Sequence, residues 1–186
     1  MLEQYKPALK QGVTMTVVGL LIFFVTYAID PLFLAKPKGW MVLIVVNMLA
    51  LPIYFLIMGA RACKPNFDYY SFGKAFNAAF FTGVLAAVLT LAFNVVFVNV
   101  IDTNWEAEMA EEVLNSTEAF MEKMGAPQDA IDKAMDDARS QAANKPKGFM
   151  AQLQSTGGGL LWYAVIALII ALVQRDKEPK DSLVIE

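Results

Sequence analysis

The chain has 186 residues, 57% of them apolar and 18% charged, with a mean hydropathy of +0.47; ordinary soluble domains run ~45–50% apolar and ~25% charged. With no histidine and one cysteine, a zinc site, a disulfide and Ser-His-Asp or Cys-His catalysis within this chain are excluded. A net charge of −3 argues against nucleic acid as a partner.

The apolar excess falls into four uncharged stretches, 12–29, 40–60, 75–101 and 148–174. A hydrocarbon core takes about 20 helical residues to cross, so each is read as a membrane span and the lipid bilayer as the first partner. The first stretch follows Lys6 and Lys10. It is longer than the ~7–15-residue apolar run of a secretory signal, so it is read as a retained helix. Asp30-Pro31 closes it, because proline disfavours helix at the residue before it. The second begins at Trp40, an interfacial aromatic, and stops at Arg61. Pro52 in its middle predicts a local adjustment, with a neighbouring helix satisfying the carbonyl it frees. The third would be ~40 Å of helix, long enough to tilt or protrude. The fourth, taken as one helix over 149–174, includes Gly157, Gly158 and Gly159. Inside a bundle such glycines let a neighbour approach closely.

Between the third and fourth spans lies a polar segment, 102–155, with eleven acidic and five basic side chains and a net charge of −6. Met109, Val113, Phe120 and Met124 recur at helical spacing over 105–124, and Ile131, Ala134, Met135 and Ala138 over 127–143. Gly125 and Pro127 supply a helix stop and a new start. The expected fold is therefore an all-α integral membrane protein. Residues 1–101 carry three transmembrane helices, 102–148 an acidic extracytoplasmic αα-hairpin, 149–174 the fourth transmembrane helix and 175–186 a tail. No internal repeat is present.

Four spans put both termini and the 61–74 connection on one side. That side carries Lys6, Lys10, Arg61, Lys64, Lys74, Arg175, Lys177 and Lys180, against Lys36, Lys38, Lys145 and Lys147 on the other. Since basic loops stay in the cytoplasm, both termini are expected inside and the hairpin outside, which in a bacterium means the periplasm.

None of the four stretches contains a charge, so the usual signature of a proton relay is missing. Asn47 and Asn94 remain, each seven residues from an outer boundary and ~10 Å deep. They suit either a polar cleft open to the outside or an interhelical amide hydrogen bond, and packing is the ordinary use. Ala79, Gly83 and Ala87 repeat every four residues and, with Gly157, Gly158 and Gly159, are candidate helix-packing positions. An internal seam is the plainer reading, contact between copies of the chain the other. In the hairpin, Glu108, Glu111 and Glu112 oppose Asp132, Asp136 and Asp137. They form a candidate partner surface, favoured as a solvated face over a cation site because no calcium-loop spacing is present. Asn115-Ser116-Thr117 matches a glycosylation acceptor but falls within a predicted helix. Cys63 is read as an inert boundary thiol over a lipidation site. Met109, Met121, Met124 and Met135 are read as hairpin core over an adaptable binding surface.

The segment YYSFGKAFNAAFFTGVLAAVLTLAFNVVFVNVID at 70–102, the hairpin sequence GAPQDAIDKAMDDA, and GFM before a glycine-rich last span resemble the bacterial family called domain of unknown function 4199. The likeness runs over about residues 10–175. It departs from the family's pattern at Ile101-Asp102-Thr103, where an Ile-Asp-Pro exit is expected. The resemblance implies an integral inner-membrane protein of Bacteroidetes-type bacteria, without an assigned activity, cofactor or catalytic residue. It also carries a loose association with polyprenyl-phosphate glycosyltransferases.

The leading expectation is a non-enzymatic membrane subunit, a scaffold or anchor for a membrane or periplasmic protein partner, with no cofactor, metal or catalytic residue. The alternative is binding or passage of a lipid or small solute at Asn47 and Asn94. An enzyme ranks third, because carboxylate chemistry would have to use the exposed hairpin.

Overall fold

The computed structural model describes residues 2–144 and 149–177, and every regular element among them is helical. The sequence-derived end of the second acidic helix at Lys145-Pro146 lies outside these residues, as does the tail beyond 177. Four helices are long and apolar enough to cross a membrane: Glu3–Ile29, Pro37–Asn66, Phe72–Ile101 and Gln152–Gln174. The first three contain their uncharged stretches and extend into polar sequence, because a helix need not end where hydrocarbon does; the fourth covers 152–174 of the stretch 148–174.

The first span is carried by α1 (Lys6–Ile29), which has a proline in its first turn where the missing N–H costs nothing. Its chain leaves the helix at Asp30, which is extended. There the Asp30 carboxylate accepts from the Leu32 N–H and pairs with the Lys36 ammonium. Lys36, then the Leu32 N–H, hold that carboxyl below its ordinary range against the opposing effect of desolvation.

The second span runs through α2 (Pro37–Val42), a π-helical segment (Leu43–Ala50) and α3 (Leu51–Cys63). Pro52 has no N–H for the carbonyl of Met48 one turn earlier. The adjustment is the wider π-helix just ahead of the proline, and Trp162 Nε1 of the fourth span donates to the Met48 carbonyl at 2.8 Å. A bond from a neighbouring helix is what such a gap calls for in a medium without water. The third span is α4 (Phe72–Val96) followed by a second π segment, Phe97–Ile101.

The polar segment forms α5 (Trp105–Lys123) and α6 (Gln128–Asn144). Gly125, at φ 75°, ends α5. Its N–H donates to Glu122 and the Ala126 N–H to Met121, the paired bonds of a Schellman stop. Ile131 and Met135 are buried, but Phe120 and Met124 stand 48% and 72% exposed. The apolar row assigned to the hairpin core is therefore only partly used. Thr117 and Ser116 bond within α5, to the Val113 carbonyl and the Glu112 carboxylate, so the acceptor-like triplet is helical.

The fourth span is α7 (Phe149–Gln174). At the centre stands α4, which packs on α1, α3 and α7 together. One of its faces, Ala75, Ala78, Ala79, Thr82, Gly83, Ala86 and Ala87, is buried. Small side chains there let three helices come close, which in lipid is the main source of helix–helix attraction. A Cβ on Gly12 would lie 2.7 Å from the Thr82 carbonyl oxygen, one on Gly59 2.0 Å from Thr82 Oγ1, and one on Gly83 2.8 Å from the Tyr163 ring. Thr82 Oγ1 itself lies 3.1 Å from the carbonyls of Ala78 and, in α1, Ala8. Ala79, Gly83 and Ala87 thus sit in an internal seam. Gly157, Gly158 and Gly159 do not: a Cβ on any of them meets nothing within 4 Å among the described residues. The expectation that these glycines admit a neighbouring helix within the chain is corrected; α7 instead approaches α4 at Gly83, through Tyr163.

The outward faces remain apolar, with Val17, Leu21, Val25, Leu161, Ile169 and Val173 all exposed. No more than 22% of each span's most apolar window is buried. An apolar surface of this extent belongs in lipid. The chain has the build of a multi-pass membrane protein.

At the end of the bundle where α4 begins, Tyr70 is fully buried and donates from its hydroxyl to the Ala60 carbonyl at 2.7 Å. Its N–H donates to Asp176 Oδ2 at 2.8 Å, and the Asp176 N–H returns to the Tyr70 carbonyl at 2.9 Å. Lys64 completes the group, 2.7 Å from Asp176 Oδ1. Cys63 is buried in the same cluster.

Candidate functional site

At the opposite end, the spans separate around a cleft of about 310 Å³. Each wall is a helical row spaced by three or four residues, the spacing that brings side chains onto one face. Thr16, Leu20 and Phe23 come from α1; Leu43, Asn47 and Leu51 from the second span; Ala86, Thr90 and Asn94 from α4. Tyr163 enters from α7, and Leu34 and Trp105 close the end.

Asn47 and Asn94 therefore line the same cavity from two different spans. Neither carboxamide has a hydrogen-bond partner among the described residues, and the amide–amide bond weighed from sequence is not formed there. Both sit at a break in α-helical register: Asn47 lies inside the first π segment and Asn94 three residues before the second. Such segments widen the helix and are frequent at functional sites. Thr16 Oγ1 donates to the Gly12 carbonyl at 3.0 Å, which leaves its lone pairs available.

The closing wall is aromatic. Trp105 meets Phe23 and Phe97 edge to face, at centroid distances of 5.7 and 5.4 Å. Phe93 stacks on Phe97 at 5.6 Å. Edge-to-face and offset pairs are each worth about 0.5–1.5 kcal/mol beyond their buried area. Two polar bonds fix the same corner: Trp105 Nε1 donates to the Pro31 carbonyl at 2.9 Å, and the Tyr27 hydroxyl to Asp102 Oδ2 at 2.7 Å. The start of α5 is thereby fastened to the ends of the first and third spans.

The acidic residues behave otherwise. Glu108, Glu111, Asp132, Asp136 and Asp137 are exposed and Glu112 half-buried. Asp132 accepts from the Gln128 side-chain amide at 3.0 Å, and Arg139 lies 4.0 Å from Asp136. No group of three or more carboxylates among the described residues is arranged to hold a metal ion.

Sequence reading found the two asparagines but missed Thr16, Thr90, Phe23, Phe93, Trp105 and Tyr163. Thr90 was accessible to it, four residues before Asn94 on the same helical face. Tyr163 and Trp105 were not, because their place depends on how α7 and α5 dock.

A family model described as Protein of unknown function (DUF4199) matches residues 10–176. No curated protein and no solved structure matches the chain.

Proposed function

The chain belongs to this family of unknown function, DUF4199, and on its own residues we propose that it is a non-enzymatic membrane protein that binds a lipid or small solute in the cleft of Asn47 and Asn94. One observation carries the reading: two carboxamides from different spans meet one cavity without a protein partner. An amide left unpaired in hydrocarbon costs several kcal/mol, so a guest that supplies hydrogen bonds there is favoured. Native mass spectrometry after mild-detergent extraction tests it. The expected result is a stoichiometric adduct on the wild type that disappears in Asn47→Leu/Asn94→Leu, with both proteins eluting as folded monodisperse species. An adduct that persists in the double variant, or none on the wild type, refutes the reading.

A second reading, a scaffold or anchor for a membrane or periplasmic protein such as a polyprenyl-phosphate glycosyltransferase, is favoured by α5. Trp105 and Asp102 tie this helix to the bundle while Glu108 and Glu111 stay exposed toward a basic surface. A stoichiometric protein in the same spectrum supports it.

The basic-residue count supports a bacterial inner-membrane protein with both termini in the cytoplasm and the α5–α6 hairpin in the periplasm. A reporter active only in the periplasm should be silent after Lys180 and active near Gly125. The opposite pair of outcomes inverts the topology.

A further inference from the structure

Resting on the cleft as the binding site, we infer that its occupant is an uncharged, hydroxyl-bearing headgroup on an apolar tail. Four observations define the class.

Among the described residues, the lining contains no carboxylate, ammonium or guanidinium. A phosphate or ammonium withdrawn from water into it would find no counter-charge, and an uncompensated buried ion is the most costly group to desolvate. Two carboxylates beyond the ends of the first and third spans are already engaged within the chain, Asp30 by Lys36 and Asp102 by the Tyr27 hydroxyl.

The polar groups present are neutral and two-sided. Each carboxamide offers two donors and an acceptor, and each hydroxyl donates once and accepts. Alcohol groups, which also donate and accept, match such a set; a carbonyl-only or cationic group uses half of it. Asn47, Asn94 and Thr90 have no side-chain hydrogen bond among the described residues and are available to do so.

Phe23, Phe93 and Trp105 set flat apolar surfaces beside these groups. The C–H faces of a glycerol or sugar ring pack on aromatic rings while its hydroxyls reach the amides. Volume completes the argument. At about 310 Å³ the cleft is at the small end of the ~300–1,000 Å³ range of ligand sites. It admits a headgroup but not a pair of acyl chains, which stay among the exposed apolar faces of the spans.

The test uses the full chain in phosphatidylcholine nanodiscs, titrated with acyl-brominated diacylglycerol and, separately, acyl-brominated phosphatidylglycerol, with tryptophan fluorescence as the readout. Trp105→Phe identifies the part of the signal arising at the cleft. Diacylglycerol is expected to quench Trp105 saturably at near-equimolar ratio, phosphatidylglycerol at least tenfold more weakly. Asn47→Leu/Asn94→Leu should weaken the diacylglycerol effect tenfold or more at unchanged circular dichroism. Equal or tighter quenching by the anionic lipid, sensitive to the double variant, overturns the headgroup assignment and leaves the cleft as a binding site. Absence of saturable quenching by either lipid overturns both, as does saturable quenching indifferent to the double variant.

Discussion

Gly59→Ala is expected to lower the thermal midpoint of the purified protein in detergent, and Gly59→Leu to leave little folded material. On helix propensity alone, alanine in place of glycine would stabilise by about 1 kcal/mol. Here the new Cβ falls 2.0 Å from Thr82 Oγ1, at a side chain with no exposed surface. Swinging the hydroxyl away breaks its bond to a backbone carbonyl and still leaves the Thr82 Cβ at 3.2 Å. Overpacking of this kind costs about 1–3 kcal/mol, and more for a larger side chain, so the clash outweighs the propensity. Thr82→Ala in the same chain removes the colliding oxygen and should recover much of the Gly59→Ala loss. A strictly additive double variant would show that the two residues do not share one crossing point.

Tyr70→Ala should be the most damaging single change outside the spans, at about 3–5 kcal/mol for an excavated aromatic. Tyr70→Phe isolates the hydroxyl, whose bond to Ala60 is worth about 1 kcal/mol. The contact with Asp176 adds a pH dependence of definite sign. Lys64, then the Tyr70 N–H, hold the Asp176 carboxyl below its ordinary range. The folded protein therefore binds that proton less tightly than the unfolded chain does. The stabilisation is complete above the unfolded value of about 3.9 and drains away as pH falls through the lower folded one. Asp176→Asn should melt lower than wild type at pH 7 and lack this part of the acid-side decline. Parallel melting curves for the two proteins from pH 7 to pH 3 would assign the decline to other groups. Both melting series are readable by tryptophan fluorescence.

The spans were legible because uncharged runs of the right length have one stable use in a cell. The stop at Gly125 was legible because only glycine takes a positive φ there without strain. The central place of α4 was partly legible, since Ala79, Gly83 and Ala87 mark a small-residue face. What could not be read was which glycines meet a neighbour. Gly12 and Gly59 are isolated in sequence yet face Thr82, whereas the conspicuous run Gly157–Gly158–Gly159 faces open space. Close approach is decided by where helices cross, and crossing points are properties of pairs. The cleft divides the same way: depth counted from the span ends put Asn47 and Asn94 at one level, but the aromatic wall depends on the docking of α5.

The bond from Trp162 to Met48 also bears on the order in which the bundle is completed. The second span is synthesised 114 residues before the indole that satisfies its open carbonyl. At about 5–20 residues per second, that group waits on the order of 5–25 s, in a medium that offers no water to fill the gap. Until the fourth span arrives, the second is an unfinished helix, free to adjust at Pro52. The fourth span is thus the one that closes the backbone of the second, and a chain broken off before it would hold three spans with that position still open.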